Sequence, residues 1–289
     1  MTMNNKTANI HDNYICISSS RAWNNLRLDE VWQYRDLIVL FTKRSFALTY
    51  AQTILGPIWL FLNPFLTSIM FTLVFGYIAG IRTDGIPKFL FFLCGTAVWN
   101  FFSACVNENA RTFIDNAGLF GKVYFPRLTV PISRVAAILI RFLIQISLVL
   151  IILFYYYFNE RVCPHFELWI VLPFLLLQLG LMGMGVGIII SSMTTKYRDL
   201  SILVGFGIQL WMYGTPVVYP LSQLPQGWMR TVSLMNPVTA PVELFRFVLL
   251  GEGLFSPASY LWSLGFTVLV AVLGVVVFNH VEKTFLDTV

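Results

Sequence analysis

Charge is scarce in this chain. Of 289 residues only 11% are Asp, Glu, Lys or Arg, where soluble domains carry roughly a quarter. With 57% hydrophobic and 16% aromatic residues beside it, that scarcity reads as an integral membrane protein. Cysteine and histidine are also few. Cys16, Cys94, Cys105 and Cys163 show no CxxC spacing, so no disulfide or metal framework is indicated. His11, His165 and His280 lie far apart and form no HExxH pattern, so no metal ligand set is expected. The first fifty residues hold no apolar run like a signal-peptide core, and insertion is expected to rely on later segments.

A phosphate loop is missing too. "GLFGKVYFPRLTVP" (118–131) offers Gly-Lys, but Asn116 stands where the first glycine belongs and Val123 where the magnesium-binding hydroxyl belongs. The chain is therefore expected to bind no ATP, magnesium or other cofactor itself. The net charge of +5 reads as basic loops on one side of a membrane rather than nucleic-acid binding.

What is present is long apolar sequence. A helix needs about 20 mostly apolar residues to cross roughly 30 Å of hydrocarbon, and six segments qualify: 55–79, 89–107, 132–158, 168–191, 200–218 and 259–279. None contains an acid, and Arg141 is the one base well inside. An even count puts both termini on one side. With that side cytoplasmic, 13 Lys and Arg lie inside and 5 outside, which predicts an N-in, C-in topology. The fold class is thus all-α, with residues 1–27 and 281–289 as cytoplasmic tails around a transmembrane domain over 54–280.

Two further elements are expected outside the spans. Residues 28–53 carry Val31, Tyr34, Ile38 and Phe41 at helical spacing, with Arg35, Asp36, Lys43 and Arg44 on other faces, as in an amphipathic helix lying in the inner interface. An ordinary cytoplasmic helix is the plainer alternative. Residues 219–251 are too apolar for a loop and too broken for a span. Asn236, Pro237 and Gly251 bracket a helix over 237–250, about 21 Å long. With a shorter helix over 222–234, it is expected to dip into the outer leaflet and return, as a gate does. Glu243 and Arg246, three apart, are placed to pair on one face. The run Gly180, Gly183, Gly185 and Gly187 lies inside a span, where close helix packing explains it.

The chemistry of a transferase is sparse. The outer carboxylates Asp84, Glu160, Glu167, Glu243 and Glu252 are scattered, no acid and base pair up, and no catalytic residue is expected. An ion-coupled carrier needs ionisable groups in the membrane, and the spans hold no acid, so an external energy source is expected. Trp211, Tyr213 and Tyr219, near the outer end of the fifth span, either line a passage on which sugar faces slide or belong to an interfacial aromatic belt. Arg141 and Arg134 are seven apart, about 10 Å along a helix. They either snorkel to the inner headgroups or meet a lipid pyrophosphate arriving from the cytoplasm.

Four ordered blocks, "YAQTILGPIWLFLNPFL" (50–66), "GKVYFPRLTVPISRV" (121–135), "SSMTTKYRDLS" (191–201) and "TPVVYPLSQLPQGWMRTVSLMNPVTAPVELFRFVLLG" (215–251), carry a resemblance to a known family. With the hydropathy order over residues 30–280, the chain resembles the permease subunit of type-2 ABC exporters, and among them the O-antigen and capsular polysaccharide permeases. The resemblance implies a homodimer of six-span subunits and two copies of a separate ATPase that binds ATP and magnesium. It also implies an undecaprenyl-pyrophosphate-linked polysaccharide as substrate in a bacterial inner membrane. A glycan-binding module is then expected either on the ATPase or not at all. Carried over, the ATPase-docking loop is 108–127, with Glu108, Arg111, Thr112, Phe113, Asp115, Lys122, Tyr124, Phe125 and Arg127, supported by Lys196, Arg198 and Asp199. The apolar Phe113, Ile114, Tyr124 and Phe125 within a charged loop favour a partner surface over a plain topogenic loop. A permease for a drug, a small lipid or a teichoic-acid-like polymer, and more remotely a membrane glycan or lipid transferase, stand as alternatives.

Overall fold

Apolar segments of membrane length fold as helices because a helix satisfies every backbone N–H and C=O internally. In a computed structural model that describes residues 28–50, 56–123, 125–159, 161–194 and 199–288, all regular structure among the described residues is helical. In chain order the elements are α1 (Leu28–Gln33), α2 (Arg35–Tyr50), α3 (Trp59–Phe71), α4 (Lys88–Ala110), α5 (Thr112–Phe120), α6 (Thr129–Phe158), α7 (Leu172–Thr194), α8 (Leu200–Tyr213), α9 (Trp228–Met235), α10 (Thr239–Leu250) and α11 (Pro257–Thr288). A π-helical stretch, Thr72–Ile78, prolongs α3, and a 3₁₀ stretch, Phe166–Val171, leads into α7.

Among the described residues, five helical segments are long and apolar enough to cross a membrane: Trp59–Ile78, Lys88–Ala110, Thr129–Phe158, Phe166–Thr194 and Pro257–Val281. They match five of the six expected spans. The other, 200–218, is occupied by the 14-residue α8, about 21 Å long and short of the hydrocarbon thickness. Its helix ends at Tyr213 because Gly214, Thr215 and Pro216 turn the chain, proline being unable to continue the backbone ladder.

α4 is the central helix, packed against α3, α6, α7, α8 and α10. Its Leu90, Phe92, Leu93, Cys94, Phe102 and Cys105 are fully buried. The glycine run of α7 lets two neighbours approach. A Cβ on Gly183 would stand 2.6 Å from Cβ of Cys105, and one on Gly187 would stand 2.7 Å from the carbonyl oxygen of Val106, both in α4. On the other face, a Cβ on Gly185 would lie 2.8 Å from the carbonyl oxygen of Val270 in α11. The small-residue pattern thus serves two interfaces at once, as lipid-embedded helices that gain little from hydrophobic burial require.

A second core lies where α4 stops and α6 starts. Phe113, Phe120, Phe125, Val130, Ile188 and Phe278 are buried there, with Tyr34, Leu37 and Phe41 of the N-terminal segment against them. The amphipathic helix expected over 28–53 is two pieces with a break at Tyr34, and residues 51–53 lie outside the described residues. α2 runs along α6, and its Thr42 hydroxyl donates to the Ser133 carbonyl at 3.2 Å. Much of its apolar stripe is therefore covered by protein, while Val39, Leu40 and Leu48 remain exposed.

Candidate functional site

Two constellations stand out, one at each end of α4. At its C-terminal end, α4 runs on to Ala110, three residues past the hydropathy boundary, and so carries Glu108 on the helix itself. Arg141 in α6 donates to the Glu108 carboxylate. Arg134, seven residues earlier, donates to the Glu108 carbonyl and to the Asp115 carboxylate at 3.1 Å. Arg111 pairs with Asp115 one helical turn away, at 3.4 Å. Residues anticipated for two separate roles, Glu108, Arg111 and Asp115 in docking and Arg134 and Arg141 in meeting a pyrophosphate, form one connected network.

The docking loop divides into a buried and an exposed part. Phe113 stacks on Phe278 with ring centroids 4.8 Å apart, and its backbone N–H donates to Oγ of Ser191 at 3.1 Å. Phe125 meets Phe41 and Phe120 edge-on or tilted at 5.8 and 5.9 Å. Thr112 and Arg127 are buried as well, and the Arg127 guanidinium lies over the Phe120 ring. This corrects the expectation that Phe113 and Phe125 call for a partner: α2, α5, α7 and α11 of the same chain already bury them. What faces outward is Arg111, Asp115, Gly118, Gly121, Lys122 and Val123. Asp199 is exposed just before α8. Tyr124, Lys196 and Arg198 lie outside the described residues.

At the N-terminal end of α4 the short helices expected over 222–234 and 237–250 appear as α9 and α10. Asn236 joins them to α8. Its side-chain oxygen accepts from Nε1 of Trp211 at 3.0 Å and from the backbone N–H of Val238 at 3.1 Å. Its amide nitrogen donates to the Gly214 carbonyl at 3.1 Å and to Oγ1 of Thr215 at 2.9 Å. Asn236 caps a turn, as its type and position foretold, but the helix proper begins at Thr239 and the side chain also serves the α8 elbow. Gly251 ends α10 with φ +79°, the left-handed stop that glycine permits.

The Glu243–Arg246 pair forms at 2.9 Å, with side chains only 3% and 2% exposed. Arg246 also donates to the carbonyls of Pro216 and Val217 at 2.9 and 3.3 Å, and its guanidinium lies 3.9 Å from the centre of the Phe91 ring in α4. Burial raises the Glu243 carboxyl above the usual carboxylate range, opposed by the Arg246 charge and by backbone N–H groups of Leu254 and Leu221. The pair is therefore a clamp inside the subunit, tying α10 and the elbow after α8 to α4. Trp211, half-buried with its ring edge-on to Phe102 at 5.3 Å, is a strut of the same elbow. Tyr213 is exposed, and the hydroxyl of the half-buried Tyr219 donates to its carbonyl at 3.2 Å.

A helical membrane bundle with this order of short and long elements can be set against known families. The sequence profile of the ABC-2 type transporters matches residues 36–250. The chain belongs to the ABC-2 type transporter family. Among relatives of this ABC-2 protein, an O-antigen export system permease protein, RfbA, of Klebsiella pneumoniae is 27% identical over 256 residues, covering 87% of this chain and 94% of the relative. RfbA of Myxococcus xanthus is 31% identical over 224 residues, covering 76% and 82%. The matched stretch includes both constellations. As an ABC-2 family member with five helices of spanning length, the chain is a multi-pass membrane protein.

Two features were beyond sequence reasoning. The carboxylate partner of Arg141 lies 33 residues away and outside the expected span. The loop before α4 is tied to the segment before α9, Ser222 donating to the Asp84 carboxylate at 2.6 Å and Gln223 to the Arg82 carbonyl. No sequence signal pointed to that strap.

Proposed function

We propose that this protein is the membrane subunit of an ATP-driven exporter of O-antigen or a related polysaccharide linked to undecaprenyl pyrophosphate, in a bacterial inner membrane. The observation that carries the reading is the similarity to O-antigen export permeases over most of their length. In this reading two copies pair, and each holds one copy of a separate ATPase on the exposed side of α5. The contact uses Arg111, Asp115 and Lys122, supported by Asp199 of the second inner loop. α8, with the turn after it, serves as the sixth crossing, its shortness being accommodated by local bilayer thinning or by oligomer contacts. That keeps the N-in, C-in topology favoured by the basic residues.

The elbow and the short helices α9 and α10 act as the outer gate. Glu243, Arg246, Trp211 and Asn236 hold its shape. Tyr213 and Tyr219 are the candidates for facing the moving glycan, since aromatic faces bind sugar C–H surfaces with little directional demand. Arg134 and Arg141 meet the pyrophosphate on the cytoplasmic side.

Deletion of the gene, with complementation, tests the reading. Loss of surface polysaccharide with lipid-linked polymer retained inside is the expected result. Surface polysaccharide left intact, with a drug-resistance or lipid defect instead, refutes it in favour of a permease for small cargo.

A further inference from the structure

Arg141 and Arg134 differ from the buried Arg246 in one respect. Arg246 has a 2% exposed side chain and is tied to Glu243 and two carbonyls, so removing its carboxylate would strand a charge. The pairs Arg134–Asp115 and Arg141–Glu108 are 14%/37% and 19%/31% exposed. Such partly open pairs leave room for another anion to reach the guanidinium groups, which the enclosed Arg246 does not. A guanidinium offers five N–H donors in a planar fork. Arg141 gives one hydrogen bond to Glu108 and Arg134 gives two, to the Glu108 carbonyl and to Asp115. Most donors on the two arginines thus have no protein acceptor among the described residues. Both carboxylates come from the end of α4 and from α5, the same short piece of chain that presents Arg111, Asp115 and Lys122 outward.

A carboxylate and a phosphate oxygen are alternative partners for the same fork, and a diphosphate brings more oxygens and more charge than either acid. We propose that Arg134 and Arg141 form a diphosphate-headgroup site that Glu108 and Asp115 occupy as internal stand-ins, to be displaced when the exposed side of α5 is engaged. The idea rests on the permease reading and adds the coupling to it. A cationic partner group that takes Asp115 removes one competitor from Arg134, so docking and headgroup binding favour each other. By linkage the effect is equal in both directions. Arg111, already 3.4 Å from Asp115, shows that the carboxylate is reachable from the surface side.

The test uses the full chain in lipid nanodiscs, titrated with farnesyl diphosphate, farnesol and inorganic pyrophosphate. Glu108→Gln and Asp115→Asn are each expected to bind farnesyl diphosphate about 3- to 10-fold more tightly than wild type, and Arg141→Gln at least 10-fold more weakly, with Arg141→Lys between. Farnesol binding that matches farnesyl diphosphate overturns the site. Inorganic pyrophosphate binding as tightly as the lipid assigns the same site to a free anion, and weaker pyrophosphate binding assigns it to a headgroup. In the assembled complex with the ATPase, wild type is expected to rise to the affinity of Asp115→Asn. Should Glu108→Gln fail to fold, the more exposed Asp115→Asn carries the comparison. Unchanged affinity in the acid variants, with dependence on Arg141 retained, overturns the exchange and leaves the permease reading standing. Failure of that reading shows separately, as surface polysaccharide that persists without the chain.

Discussion

Replacing Arg246 by methionine keeps most of the side-chain volume and removes the charge. It leaves Glu243 buried without its 2.9 Å partner and the carbonyls of Pro216 and Val217 without their donors, and it ends the stacking on Phe91. Breaking one side of a buried ion pair costs about 3–5 kcal/mol. At a few degrees per kcal/mol for a chain of this size, the melting point of the purified protein should fall by roughly 10 °C. Glu243→Gln should be milder, because Arg246 keeps both carbonyls and the Phe91 face. The decisive variant is Glu243→Gln combined with Arg246→Met. With no charge left to strand, it should be more stable than Arg246→Met alone. Tryptophan-fluorescence melting in nanodiscs, beside polysaccharide export in cells, reads both quantities. An Arg246→Met protein that melts within roughly 2 °C of wild type, or a double variant no better than the single, would refute the clamp.

Gly251→Ala should cost at least about 2 kcal/mol, since its φ of +79° disfavours a side chain and the new Cβ would stand 2.2 Å from the Cys163 carbonyl oxygen; its thermal midpoint checks this. Gly187→Leu should abolish folded yield in size-exclusion chromatography by wedging α7 from α4, whereas Gly205→Ala on α8, with nothing within 4 Å of the added Cβ, should be neutral or stabilising by up to about 1 kcal/mol. Asn236→Leu leaves the Trp211 and Val238 N–H groups without their acceptor and should cost about 2 kcal/mol, seen as a lower midpoint and altered Trp211 emission. Charge reversal at both Arg111 and Asp115 should reduce ATPase co-purification at least 10-fold without changing membrane insertion; full co-purification would remove α5 from the docking surface.

Hydropathy decided a good deal unaided. Five spanning helices, the two short helices before the last one, the Gly251 stop and the Glu243–Arg246 pair were legible, because each depends on residues within a turn or two or on a composition that lipid imposes. The glycine run announced close packing for the same reason. The partners were not legible. Phe113 and Phe125 look like partner-seeking aromatics in a charged loop until folding brings Phe278, Phe41 and Phe120 against them. Arg141 looks like a lone cation in hydrocarbon until α4 proves three residues longer and delivers Glu108. Local pattern and lipid solvation set where helices form. Which charges and rings meet is settled by helix packing, since residues distant in sequence become neighbours only when the bundle closes.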